Sequence, residues 1–508
     1  MWFNFQTRFI VAAILCLLSS LVPANPAIAK PNIVFIVADD LGYRELGCFG
    51  QKLIRTPNLD ELAKQGMRLT QHYSGNAVCA PSRCVLMTGK HPGHAYIRSN
   101  KSTPPEGQEP IPDSEVTLAE LMREQGYVTG AFGKWGLGGP ESTGEPLKQG
   151  IDRFFGYNCQ GHAHSYFPSY LWSDEARIEL RNDPPVPGHA SLAKGADPSD
   201  PRSYDQFKGK DYAPDRINEQ ALKFIRDNKD RPFFLYYPTI IPHVALHVPD
   251  EELKPYLELG WKDPPFTRGK GYGYTPHFTP RAAYAAMISR MDRYVGNVLK
   301  LLDELELADN TIVVFSSDHG DQLLEHGLMG KNCFFEASVR VPFMIRFPRR
   351  VRPGQYQELV ESVDLLPTLL ELAGLSEPYS SQGRSLVGLI STDGGDYVPR
   401  EAVFSENVIP EVITGGRQDF EFIKGQGIRG IRHPDAKMVR TRRWKFIYYP
   451  EGYAELYDLE SDPRERTNLA EHPEYREQIH AMKDRLLHWL TTADEADQIA
   501  PRWLRPEG

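Results

Sequence analysis

The chain has 508 residues, enough for one large domain with an appendage or for about two or three domains, and ample for a substantial core. Its 42 glycines and 41 prolines exceed ordinary usage and predict long ordered loops on a globular scaffold. A net charge of −9 argues against a general nucleic-acid or anionic-membrane binder, although it leaves room for a local positive pocket.

Residues 1–29 read as a secretory signal, with Arg8 in a short basic region, an apolar run from Phe9 to Leu18, and small residues at Ala27 and Ala29. Cleavage after Ala29 is expected, giving an exported chain, periplasmic or secreted. The competing reading is an N-terminal anchor, but the apolar run falls short of the roughly 20 residues a membrane span requires. No other segment is long and apolar enough, so no stable membrane insertion is expected after cleavage. Cys16 leaves with the signal; Cys48, Cys79, Cys84, Cys159 and Cys333 remain, an odd and sparse set that does not describe a disulfide framework.

"NIVFIVADDLG" is an apolar, β-branched run that stops at Asp39 and Asp40, and "NTIVVFSSDHGD" repeats the pattern at Asp318 and His319. Such runs suit strands buried on both faces of a helix-covered sheet, whose carboxyl ends carry the site. Segments 128–134 and 232–238 read as further strands. Helices are predicted at "TLAELMREQG", where Thr117 and Glu120 have capping-box spacing, and at 282–305. Residues 174–215 and 249–280 read as long loops of the kind that carry function. From about residue 400, "KFIYYP", "AELYDL" and an amphipathic helix near Tyr475 to Leu490 predict a smaller C-terminal α+β subdomain over 401–508, leaving 30–400 as the main α/β domain.

In "CAPSRCVLMTG", Pro81 suits the first turn of a helix, which places Cys79 just before the N-terminus. Free N–H groups there favour an anion, and Arg83 adds a planar donor for a tetrahedral oxyanion. The position of Cys79 suits a nucleophile or an anion ligand, with a structural or disulfide cysteine as the equal competing reading. Asp39, Asp40, Asp318 and His319 suit a divalent cation: carboxylates fit Ca²⁺ or Mg²⁺, an imidazole shifts the balance toward a transition metal, and helix-capping aspartates are the alternative. Lys134 and Lys331 sit in glycine-bearing turns and with Arg83 would make a pocket for an anion. His243 follows a strand and is placed to protonate a leaving group, with His247 nearby.

These segments, in this order, resemble the type I sulfatases of the alkaline phosphatase superfamily, particularly bacterial arylsulfatase-like polysaccharide sulfatases. Cys79-Ala80-Pro81-Ser82-Arg83 followed by Met87-Thr88-Gly89 matches the family's C-x-P-S-R…T-G signature, and "GKW", "PFFLYY…PH", "SDHGD" and "LYDLESDPRERTNLA" match as well. The resemblance implies a large mixed β-sheet sandwiched by helices. It also implies that a formylglycine-generating maturation enzyme oxidises Cys79 to Cα-formylglycine. The hydrate of that aldehyde would attack sulfur and form a covalent sulfoenzyme.

By the same carry-over, Asp39, Asp40, Asp318, His319 and modified Cys79 would bind one Ca²⁺, with Mg²⁺ or another divalent cation as the alternative. Arg83, Lys134 and Lys331 would hold the sulfate, and His243 would be the acid. Many members read G-K-W-H-L-G, with a histidine proposed to deprotonate the second hydroxyl; this chain has Gly136 there. His162 or His164 is the expected replacement, and Gln160 an expected sulfate or sugar contact. The substrate expected is a sulfated carbohydrate, bound between the loops at Tyr157 to Trp172 and Lys262 to His277. The competing functions are a phosphomonoesterase or phosphodiesterase of the same superfamily and a non-catalytic binder of sulfated glycans.

Overall fold

A computed structural model describes residues 30–496 apart from 102, 105, 107, 267–272, 324, 328–329, 377–380, 409–434 and 451. The expected signal at 1–29 lies outside the described residues. Eleven strands form one mixed sheet: β1 Asn32–Ala38, β2 Met67–Tyr73, β3 Val128–Lys134, β4 Arg153–Tyr157, β5 Tyr170–Ser173, β6 Ala176–Glu179, β7 Phe233–Pro238, β8 Thr311–Ser317, β9 Arg340–Val341, β10 Phe343–Arg346 and β11 Gly354–Glu361. Their order is β11-β2-β10-β8-β1-β7-β3-β4-β5-β6, with β9 on β2. β8, β1, β7, β3 and β4 run parallel at the centre.

Strand β1 shows why the apolar run is continuous. Val34 and Ile36 enter one core with α3 (Ala213–Asp227) and α5 (Pro280–Glu304), whereas Ile33, Phe35 and Val37 enter a second with α1 (Cys79–Thr88) and α2 (Leu118–Glu124). A strand covered by helices on both faces has no solvent side on which to place polar residues. The capping box forms as predicted: the Thr117 hydroxyl accepts from Glu120 N at 3.2 Å, and the Glu120 carboxylate accepts from Thr117 N at 2.9 Å.

The C-terminal part is a four-stranded antiparallel sheet, β12 Ala402–Asn407, β13 Ala436–Thr441, β14 Trp444–Tyr448 and β15 Ala454–Asp458. Its Val439, Phe446 and Leu456 pack on Met482, Leu486 and Trp489 of α6 (Arg476–Ala496). Within the expected loop 249–280, Asp250–Leu257 forms α4. Three acids in its first turn suit the helix dipole, but Pro255 sits inside it and only Leu253 and Tyr256 are buried, so it lacks a readable apolar stripe. Cys48, Cys79, Cys84, Cys159 and Cys333 are all free thiols. No described helix is long and apolar enough to cross a membrane.

Buried His72 on β2 lies 4.8 Å from the Phe343 ring, and neither ring nitrogen has a hydrogen-bond partner. Burial pushes its pKa down to about 3. As pH falls below about 6.5 the unfolded chain protonates this residue and the folded chain does not, so its share of stability, present above that pH, is progressively lost. Urea unfolding at pH 6.5 and pH 5 should therefore show the wild type losing about 2 kcal/mol more than His72→Phe. Equal losses would show that His72 titrates normally in the fold.

Candidate active site

The site lies beyond the carboxyl ends of the central parallel strands. Ala38 and Ser317 are paired across β1 and β8, which sets Asp39 beside Asp318. Consecutive aspartates in a continuing strand would point to opposite faces. At Asp40 the backbone turns left-handed, with φ +68, a region that Asp tolerates better than most residues. The Asp40 carboxylate thereby reaches within 4.0 Å of Cys79 Sγ.

Cys79 is the first residue of α1 rather than the residue before it, because the capping position falls on Val78, whose side chain offers no cap. Asn100 Oδ1 accepts from Ala80 N at 2.9 Å and satisfies one exposed donor of the first turn. Around Cys79 Sγ stand Lys331 Nζ at 3.1 Å and His319 Nε2 at 3.3 Å. One turn on, Arg83 Nε donates to Asp318 Oδ2 at 3.0 Å, and its Nη2 lies 3.3 Å from Asp39 Oδ1. Arg83 Nη1 also donates to the Lys134 carbonyl, and the Ser82 hydroxyl donates to the Asp318 carbonyl. Lys134, the last residue of β3, donates to Asp39 Oδ2 at 2.7 Å, and Lys331 donates to Asp40 Oδ1 at 2.5 Å. His243 Nε2 is 3.6 Å from Asp40 Oδ2.

Three carboxylates thus face three basic side chains in a buried pocket, and their protonation follows from those pairings. Burial would raise the Asp39 carboxyl, but Lys134 and Arg83 hold it well below the usual range. At Asp40 burial prevails over Lys331 and His319 and lifts the pKa to about 6. Burial would lower His319, yet Asp318 and Asp40 raise it to about 9. Burial, reinforced by Lys331, pushes His243 well below 6.5.

The residues fit a divalent cation. Ligand atoms of Asp39, Cys79, Asp318 and His319 lie within 4.8 Å of one another, as do those of Asp40, Cys79 and His243. Asp39 Oδ1 and Asp40 Oδ2 are buried and accept no hydrogen bond, with Arg83 Nη2 at 3.3 Å and His243 Nε2 at 3.6 Å as their nearest basic groups, an arrangement that a cation would complete. Three carboxylates with an imidazole in each group accommodate Ca²⁺ or Mg²⁺ as well as softer metals.

The other predicted site residues are distributed unevenly. His164 stacks on His243 with ring centroids 5.0 Å apart, and its Nδ1 lies 2.8 Å from His189 Nε2. Gln160 is buried, with both amide atoms unpartnered. The His162 ring packs between Tyr157 and Tyr170 at 5.0 and 4.4 Å, and burial lowers its pKa to about 4. His247 is placed against Tyr166 and Phe167, each about 6.1 Å away, among aromatic rings.

Tyr274 and His189, from the two long loops, were not identified from sequence. Tyr274 meets His243 edge-on at 5.5 Å and stacks on His189 at 4.5 Å. Neither belongs to a spaced motif, and only their aromatic, polar loop setting pointed toward this region.

A family model described as Sulfatase matches residues 31–375. The chain is 31% identical over 504 residues to the N-acetylgalactosamine-6-O-sulfatase of Bacteroides thetaiotaomicron, covering 88% of this chain and 91% of that protein. It is 31% identical over 483 residues to arylsulfatase A of Homo sapiens, covering 90% of this chain and 86% of that protein. It also superposes on the solved structure of BT4656 in complex with its substrate D-glucosamine-2-N,6-O-disulfate, with a TM-score of 0.71 and 22% identity, covering 93% of this chain and 99% of that one. At that identity the likeness is one of fold.

Proposed function

The chain belongs to the sulfatase family, and from that premise we propose that it is an exported enzyme that hydrolyses sulfate esters of a carbohydrate, using Cys79 after its oxidation to Cα-formylglycine. The observation that carries this reading is the setting of Cys79 Sγ at a helix N-terminus, with Lys331 at 3.1 Å and His319 at 3.3 Å. The sulfur marks where the oxygens of a hydrated aldehyde would lie. One hydroxyl oxygen would form a bond to sulfur as the sulfur–alkoxide bond breaks. Loss of a proton from the second hydroxyl would then break the carbon–sulfate bond, release sulfate and restore the aldehyde.

Asp39, Asp40, Asp318 and His319, with the modified Cys79, would hold the cation, for which we propose Ca²⁺; bound there, it would offset charge on the sulfuryl oxygens. Arg83, Lys134 and Lys331 are fixed by carboxylates, so they need little reorganisation when an anionic ester enters. His243 faces the same pocket through Asp40 and is assigned the proton for the departing alcohol. Burial favours its neutral imidazole, and a negative ester would favour the protonated form.

The carbohydrate assignment draws support from the 31% identity to the N-acetylgalactosamine-6-O-sulfatase. The test is to coproduce the chain with a formylglycine-generating enzyme and compare defined sulfated mono- and oligosaccharides with matched phosphate esters. Sulfate release should exceed phosphate release, and chelation should cut it by about a hundredfold or more until Ca²⁺ is restored. Faster phosphate release would replace the reading with a phosphoesterase. Binding of sulfated glycans without turnover by converted protein would replace it with a binding protein.

A further inference from the structure

Position 136, where the family resemblance expects histidine, is a glycine with φ +81. A Cβ built there would lie 2.2 Å from Gln160 Nε2 and 3.3 Å from Gln160 Cδ, inside any permitted contact with the first, and 3.5 Å from Arg83 Cδ. The backbone explains the approach. Past the paired ends of β3 and β4, Trp135 N still donates to the Tyr157 carbonyl at 2.9 Å and Gly136 N to the Asn158 carbonyl at 3.0 Å. That extension carries residue 160 alongside residue 136.

Gln160 is only 8% exposed, and neither Oε1 nor Nε2 has a hydrogen-bond partner. Arg83 borders the same corner through its Cδ, while its Nη2 is held 3.3 Å from Asp39 Oδ1. Buried amides are nearly always satisfied, so an orphaned one next to an anion-binding arginine needs a ligand to explain it. The unpartnered Gln160 Nε2 offers N–H donors, which suit an oxygen of an anion.

We infer that Gly136 and Gln160 form a reciprocal exchange: the Gln160 amide fills the volume of the absent residue-136 side chain and donates a hydrogen bond to a sulfuryl oxygen held against Arg83. This rests on the sulfate-ester reading above. An amide accepts no proton near neutral pH, so this corner supplies a donor where a base was expected. Of the two expected replacements for that base, His162 is enclosed by Tyr157 and Tyr170, and His164 stacks on His243.

Two readouts test the exchange. In a stability cycle, Gly136→His should lower the melting temperature, and adding Gln160→Ala should recover at least half of the loss. The backbone strain at residue 136 is common to the single and double variants, so the recovery isolates the side-chain clash. Strictly additive losses would overturn the shared volume. In kinetics on converted enzyme, Gln160→Ala should raise KM for a sugar sulfate, KM for an aryl sulfate and the inhibition constant for inorganic sulfate alike, by about tenfold. A loss confined to the sugar ester would make Gln160 a sugar contact and overturn the assignment, as would no loss. If the wild type released sulfate from no ester, the sulfatase reading would fall by itself, and the stability cycle would still decide whether the two residues share one space.

Discussion

Cys79→Ala should abolish sulfate release, by roughly 10⁴-fold or more, while leaving the fold intact. The size follows from what is removed: without a covalent nucleophile only binding and fixed charges remain, and no other described side chain stands at the centre of the basic and acidic groups. The fold should survive because alanine is a good helix former at this helical position and Cys79 forms no disulfide. Removing Sγ releases its contacts to Lys331 and His319, but both keep Asp40, at 2.5 and 3.3 Å. Activity on a carbohydrate sulfate, read beside circular-dichroism melting, separates the two effects. Retained turnover in a folded variant would remove Cys79 from the chemistry, and a collapsed melting curve would make it a structural residue.

His243→Ala should slow hydrolysis of an alkyl or sugar sulfate by about 10²- to 10⁴-fold, the range expected for loss of a positioned general acid. An alkoxide needs a proton to leave, whereas an activated phenolate does not. The same variant should therefore hydrolyse a nitrophenyl sulfate with only a small deficit. His243 has two ring neighbours, His164 stacked at 5.0 Å and Tyr274 edge-on at 5.5 Å, and His164 is in turn held by His189. These fix its plane and leave Nε2 facing Asp40. Equal deficits on both ester types would assign His243 to binding or structure instead.

Much of this site is legible in the sequence, because its residues lie where local patterns end. Apolar runs stop at Asp39, Asp40 and Asp318; Lys134 closes a strand whose bounds, 128–134, follow from composition; and Pro81 marks the first turn beside Cys79. The left-handed turn that brings Asp39 and Asp40 to one cluster was not legible, nor was the register that pairs β1 with β8. Both depend on contacts between segments more than 270 residues apart.

The histidines show the same limit. His162, His164 and His247 look equivalent in sequence, yet only His164 lies against the candidate acid, while the other two pack among aromatic rings. His189 and Tyr274 could not be singled out in loops without periodicity. The exchange between Gly136 and Gln160 needed the backbone extension past β3 and β4, since a missing side chain announces nothing about what replaces it.

Whether Cys79 acts as formylglycine is decided by measuring, on the same preparations, the mass of the peptide carrying residue 79 and the rate of sulfate release, as coexpression of a formylglycine-generating enzyme is varied. Activity should rise in proportion to the fraction of Cys79 found as formylglycine and vanish where all of it remains cysteine. Full activity in a preparation whose Cys79 is entirely unmodified would contradict that role.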